Sequence, residues 1–181
     1  MRVDVEHVVV MGVSGTGKST VARGLAQRLG RPFVEGDDLH PPANVERMSA
    51  GVPLTDDDRW PWLGAVRDAM SAHAAAGTST VVACSSLRRV YRAVLREATG
   101  TVRFVLLDVD PEVLRDRVAH RRGHWMPPSL LQSQLDTLEP LQADEDGIVL
   151  EVVGPPDRVV RDAVAALDAA RDADADPLAA G

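Results

Sequence analysis

Apolar positions along this chain fall into short runs separated by amphipathic stretches. Residues 7–11 are a nearly unbroken apolar run built on Val8, Val9 and Val10. A run of that kind reads as a strand buried on both faces. Residues 32–35, 78–84, 103–109 and 148–153 repeat it and predict four further strands. Between them, residues 18–29, 59–76, 87–98, 111 to about 122, and 156–171 carry apolar side chains at helical spacing. Shorter helices are expected near 43–49 and 129–135. Gly30 is a natural helix stop and Pro111 a natural first helical residue. Pro61 is expected to break or start its helix. Strand and helix alternate from end to end, which predicts an α/β fold with a five-stranded parallel sheet. The polar stretch from 36 to about 58 holds Pro41, Pro42 and Pro53. It reads as an irregular functional segment. The Ala/Asp alternation of 172–181 reads as a disordered tail.

The turn after the first strand carries chemistry. Gly12-Val13-Ser14-Gly15-Thr16-Gly17-Lys18-Ser19 matches G-x-x-x-x-G-K-[ST]. Glycines let the backbone wrap a polyphosphate with successive N–H groups pointing inward, and the following helix adds its N-terminal dipole. The motif follows a strand and opens a helix, as this chemistry needs. Gly12, Ser14, Gly15, Thr16, Gly17, Lys18, Ser19 and, more weakly, Thr20 are therefore the candidate nucleotide-binding residues. Lys18 would neutralise the β- and γ-phosphates of ATP, and Ser19 would ligate Mg²⁺.

Composition sharpens this picture. The chain has 181 residues and a net charge of −7. That suits one domain (1–171) and argues against a general nucleic-acid or anionic-membrane partner. No apolar run approaches the ~20 residues that span a bilayer, so a soluble cytoplasmic protein is expected. One cysteine, Cys84, rules out an internal disulfide and reads as a small buried residue. Of 20 basic residues only Lys18 is lysine. A guanine-recognition N-K-x-D motif cannot exist beside it, which excludes a GTPase switch. A compact ammonium has been kept where a planar guanidinium would not serve.

Further blocks follow in order: Glu35-Gly36-Asp37-Asp38-Leu39-His40-Pro41; Pro53-Leu54-Thr55-Asp56-Asp57-Asp58-Arg59 with Pro61-Trp62-Leu63; Ala83-Cys84-Ser85-Ser86-Leu87-Arg88-Arg89 with Tyr91-Arg92; Arg122-Gly123-His124; and Gln134 with Leu138-Glu139-Pro140-Leu141. In this order they resemble the gluconokinases of the small P-loop type, over residues 8 to about 146. The family often has Leu-Lys-Lys where this chain has Leu87-Arg88-Arg89. The resemblance implies a three-layer P-loop kinase fold with a small helical lid near 121–135 and a substrate segment near 36–76. It implies a homodimer, and transfer of a phosphoryl group from MgATP to the 6-hydroxyl of D-gluconate. The alternatives are a shikimate- or nucleotide-type small-molecule kinase, or an ATP-binding switch without an acceptor.

On that reading the acceptor hydroxyl needs a carboxylate to take its proton. Asp37 lies just past the second strand, on the side where ligands meet a parallel sheet. It is the first candidate for the base, with Asp38 behind it. Glu35 could reach Mg²⁺ through water. A polyhydroxylated anion calls for arginines with hydrogen-bonding partners. The candidates are Asp37, His40, Arg47, Asp57, Arg59, Ser85, Arg88, Arg92, His124 and Gln134. Arg121 is the candidate for the transferred phosphate, and Arg117 for the flank of the adenine. The Asp56–Asp58 run is expected to cap the Arg59 helix. Trp60 and Trp62 are expected to pack in a core or a dimer contact.

Overall fold

A computed structural model describes residues 4–120, 127 and 129–175. Five strands are formed: β1 (Glu6–Met11), β2 (Phe33–Glu35), β3 (Val81–Ala83), β4 (Thr101–Asp108) and β5 (Gly147–Glu151). The helices are α1 (Lys18–Leu29), α2 (Pro42–Ser49), α3 (Asp56–Ala75), α4 (Arg89–Arg96), α5 (Pro111–His120), α6 (Leu130–Thr137) and α7 (Pro156–Ala175), with a 3₁₀ turn at Gly36–Leu39. Each expected element is present, with ends shifted by a few residues. The strands pair in parallel in the order β2-β3-β1-β4-β5.

The register explains the apolar runs. Alternate residues of one strand face opposite layers. Val8 and Val10 pack with Val105 and Leu107 beneath α1 and α7. Val9 and Met11 pack with Phe104 and Leu106 beneath α3 and α4. A sheet covered on both faces tolerates no polar alternation in its central strands. The carboxyl ends of β1, β2 and β3 therefore open onto one edge of the sheet.

Four expectations are corrected. The cap of α3 is Thr55, not an aspartate. Its Oγ1 accepts from the Asp58 N–H at 3.3 Å, while the Asp58 carboxylate accepts from the Thr55 N–H at 2.9 Å, a reciprocal capping box. The helix so started runs through Pro61 instead of breaking there. The carbonyl Pro61 leaves without a donor belongs to Asp57, which is exposed to water. Residues 172–175 are not tail but the last turn of α7. Asp174 pairs there with Arg103, which also lies near Glu6 and Asp146. Arg103 is buried, and a buried cation needs such partners.

The fourth correction concerns Arg92. It is fully buried, does not face solvent and is not among the residues that line the pocket. Its guanidinium pairs with Glu145 at 2.6 Å and 2.9 Å. It also donates to the carbonyls of Ser86, Leu87, Glu139 and Pro140. Ser86 holds a left-handed φ of 46°, so Arg92 braces a strained turn right after β3. Burial works to raise the Glu145 carboxyl, but Arg92 and the Gln142 N–H outweigh it and hold it below its ordinary range. Glu145→Ala should leave the Arg92 cation buried without its counter-charge and cost about 3–5 kcal/mol. Urea unfolding checks this, and a loss within about 1 kcal/mol, the range of an exposed ion pair, would refute it.

Candidate active site

The pocket at the carboxyl edge of the sheet is built from four segments. The first is the phosphate loop, between β1 and α1. Gly15 has φ 85°, and a Cβ there would lie 2.9 Å from Val118 of α5. Only glycine permits both the turn and that approach. Thr16 Oγ1 and Lys18 Nζ both donate to the Val13 carbonyl, at 2.9 Å and 3.0 Å. The loop lysine thus folds back over its own cradle. Gly12, Ser14, Gly15, Thr16, Gly17, Lys18, Ser19 and Thr20 form one continuous loop-to-helix corner.

The second segment is the 3₁₀ turn after β2. Gly36 lies so close to β3 that an added Cβ would stand 2.4 Å from the Ala83 carbonyl oxygen. That contact seats Asp37 opposite the phosphate loop. His40 closes the turn. Its ring stacks on Trp62 at 4.0 Å between centroids, and its Nε2 stands 4.0 Å from Asp37 Oδ1. Trp62 Nε1 donates to the Gly36 carbonyl at 2.7 Å and ties α3 to the turn.

The third segment is the start of α3 with α4. Arg59 donates to the Leu54 carbonyl at 2.6 Å and to the Tyr91 hydroxyl at 3.1 Å. The Tyr91 hydroxyl in turn donates to Asp56. Arg88 grips Asp56 at 2.6 Å from the other side. The Tyr91 hydrogen bond, with Arg88 and Arg59 beside it, lowers the Asp56 carboxyl. Arg59 is thereby fixed with its guanidinium toward the pocket. The fourth segment is α6, where Gln134 Oε1 accepts from the Ser14 N–H at 2.6 Å. Met48, Leu54 and Leu130 join α2, the loop and α6 over the top.

Burial pushes the His40 imidazole down from 6.5 to about 4; Asp37 pulls it up and Arg59 adds to the lowering. As pH falls below 6.5, the unfolded chain takes this proton first. Stability is therefore lost between pH 6.5 and 4, by about 3 kcal/mol from this residue. His40→Gln should flatten the urea-derived stability profile by that amount across this window. Superimposable profiles would contradict the assignment.

A family model described as "AAA domain" matches residues 8–141. The gluconokinase of Gluconobacter oxydans (strain 621H) is 52% identical over 157 residues, covering 87% of this chain and 88% of that relative. This chain belongs to the gluconokinase family. The unliganded crystal structure of a sugar kinase from Janibacter sp. HTCC2649 superposes with a TM-score of 0.86 at 52% identity, over 91% of this chain and 95% of that one. The gluconokinase structure from Sinorhizobium meliloti 1021 gives 0.81 at 47% identity, over 93% and 94%.

In this gluconokinase-family chain the pocket brings together Lys18, Ser19, Asp37, His40, Arg59, Ser85 and Gln134. Other candidates stand apart. Arg47 is exposed and pairs with Asp58 at 3.6 Å, while Asp57 faces solvent. Arg88 lies behind Tyr91, and Arg117 reaches the outer side of the loop, at the Gly15 carbonyl. Glu35 faces Arg23 at 4.0 Å. Asp38 is exposed. Arg121, Arg122 and His124 lie outside the described residues. Cys84 is buried, and burial pushes its thiol up to about 12. Trp62 and Tyr91 line the pocket, although sequence reasoning assigned Trp62 to packing and gave Tyr91 no role. Tyr91 sits three residues after Arg88 at the head of α4, and that spacing was the available signal.

Among the described residues no group of three or more His, Cys, Asp or Glu side chains is placed to hold a metal ion. The donor set fits Mg²⁺ only as a guest of the nucleotide. Ser19 supplies one hydroxyl, and phosphate oxygens and water would supply the rest.

Proposed function

We infer that this protein is a gluconokinase, transferring the γ-phosphoryl group of ATP to the 6-hydroxyl of D-gluconate. The observation that carries the reading is one cavity shared by the phosphate loop and the Asp37–His40–Arg59 wall. The first binds polyphosphate; the second offers a carboxylate, an imidazole and a cation to a polyhydroxylated acid.

In this reading the loop N–H groups and Lys18 hold the β- and γ-phosphates. Mg²⁺, carried by Ser19 and the nucleotide, would offset charge on the phosphate oxygens. Asp37 orients the acceptor hydroxyl in line with the γ-phosphorus and takes its proton as the new P–O bond forms. Arg59, locked by Tyr91 and the Leu54 carbonyl, receives the substrate carboxylate. Ser85 and Gln134 bind hydroxyls or phosphate oxygens at the seam between the two sites. Gln134 now occupies the Ser14 N–H, so nucleotide binding exchanges that contact for a phosphate oxygen. The reading assigns Arg121 to the transferred phosphate, Arg117 to the flank of the adenine, and His124, Arg47 and Arg88 to the sugar acid. The reading includes a single catalytic domain over 1–171, a lid that closes over both substrates, a homodimer and a cytoplasmic location.

ADP release measured with MgATP and a panel of D-gluconate, shikimate, AMP, glucose and glycerate tests the reading. Turnover on gluconate alone is expected. Turnover on shikimate or AMP instead would leave a P-loop kinase with a different acceptor. ATP binding with no acceptor in the panel would favour a switch.

A further inference from the structure

Asn44, on α2, is 96% buried, and its side chain reaches two neighbours. Its Nδ2 lies 2.8 Å from the Asp58 carbonyl oxygen. A carbonyl only accepts, so the amide nitrogen, not the amide oxygen, must face that way. The same nitrogen lies 3.3 Å from His40 Nδ1. Its second hydrogen therefore meets Nδ1, which can accept only through a lone pair. The ring proton is left on Nε2, on the side of Asp37.

We propose that Asn44 is a positioning residue for the acceptor site, holding His40 as the neutral Nε2–H tautomer so that a donor stands beside the Asp37 carboxylate. The proposal rests on reading this pocket as the sugar-acid site. Stacking on Trp62 fixes the ring plane, and the Asn44 contact to Nδ1 sets which edge of the ring faces Asp37. The 4.0 Å between Nε2 and Asp37 Oδ1 is too long for a direct hydrogen bond. Both groups line the pocket, and a hydroxyl oxygen bound between them would stand at about 2.8 Å from each. That oxygen accepts from His40 and donates to Asp37 at the same time.

The pair selects for hydroxyl chemistry. A carboxylate in this place would meet Asp37 with like charge, and an ammonium would find His40 offering a proton. Among the described residues, the charged groups near the ring include Asp37 on the turn, Arg59 and Asp58 on α3, and Arg47 on α2, which is paired with Asp58. Burial keeps the ring uncharged at neutral pH.

Long-range proton–nitrogen correlation spectra of the full chain read the tautomer directly, with the His40 ring assigned by its loss in His40→Gln. Wild type should show Nε2 protonated and Nδ1 bare at pH 7. Asn44→Ala should give a tautomer mixture and raise KM for gluconate about tenfold, with KM for ATP unchanged. In a His40→Gln background the same change should have almost no effect on KM for gluconate. Should Asn44→Ala fail to fold, Asn44→Asp keeps the volume, turns the donor into an acceptor and should move a proton onto Nδ1. A wild-type ring protonated on Nδ1, an Nδ1 that stays bare in Asn44→Asp, or an equal Asn44→Ala penalty in both backgrounds overturns the proposal. Absence of gluconate turnover in the wild type overturns the substrate reading instead, and the ring spectrum still decides the tautomer.

Discussion

Asp37→Asn should lower kcat with gluconate by about 10²–10⁴-fold and leave ATP affinity essentially unchanged. Asparagine keeps the shape of the side chain and its place opposite the phosphate loop. The 3₁₀ turn is held by Gly36 against Ala83 and by the Trp62 hydrogen bond to the Gly36 carbonyl, neither of which uses the Asp37 carboxylate. The carboxamide cannot take the acceptor's proton. The loss therefore belongs in kcat, with KM for gluconate moving less. Steady-state rates with a separate nucleotide-binding titration distinguish the two. Near-normal kcat would mean that Asp37 only borders the pocket, and the base would have to be sought elsewhere.

The second large effect is expected at Lys18. Lys18→Arg keeps the charge yet should lower phosphoryl transfer by about 10²–10³-fold. The reason is geometric. Lys18 opens α1 and its ammonium folds back to 3.0 Å from the Val13 carbonyl, inside the curve of its own loop. Three tetrahedral N–H donors fit that cradle and can pass from carbonyl to phosphate. A planar guanidinium is wider, and its fixed fork cannot turn within the same curve. The measurement is kcat at saturating MgATP, with melting to show that the fold persists. Turnover close to wild type would show that charge alone suffices, and that the lone lysine among twenty basic residues has no special task.

Much of the machinery was legible because it is local. The phosphate loop is contiguous, its glycines are demanded by backbone geometry, and the strand before it and helix after it announce themselves by apolar spacing. Asp37 was readable because a residue just past a parallel strand must emerge at the ligand edge. Arg92 was misread because sequence reports a cation but not its depth. It lies between α4 and the segment around Glu139–Glu145, about fifty positions away, and only chain folding brings Glu145 to it. The α3 cap was missed by one residue because Thr55 and the aspartates after it have similar cap preferences. The reciprocal bond with Asp58 decides between them.

By itself the sequence determined the order of strands and helices, the nucleotide loop and the family, since each is carried by contiguous residues or by blocks in fixed order. The tertiary structure alone decided which polar residues face the pocket. Arg47, Arg59, Arg88 and Arg92 look alike as letters. Burial, the Asp56–Tyr91 brace and the Glu145 partner separate them into an exposed cation paired with Asp58, a pocket cation, a supporting cation and a buried strut. The same holds for His40, whose proton is placed by Asn44, a neighbour whose role depends on a carbonyl fourteen residues further along the chain.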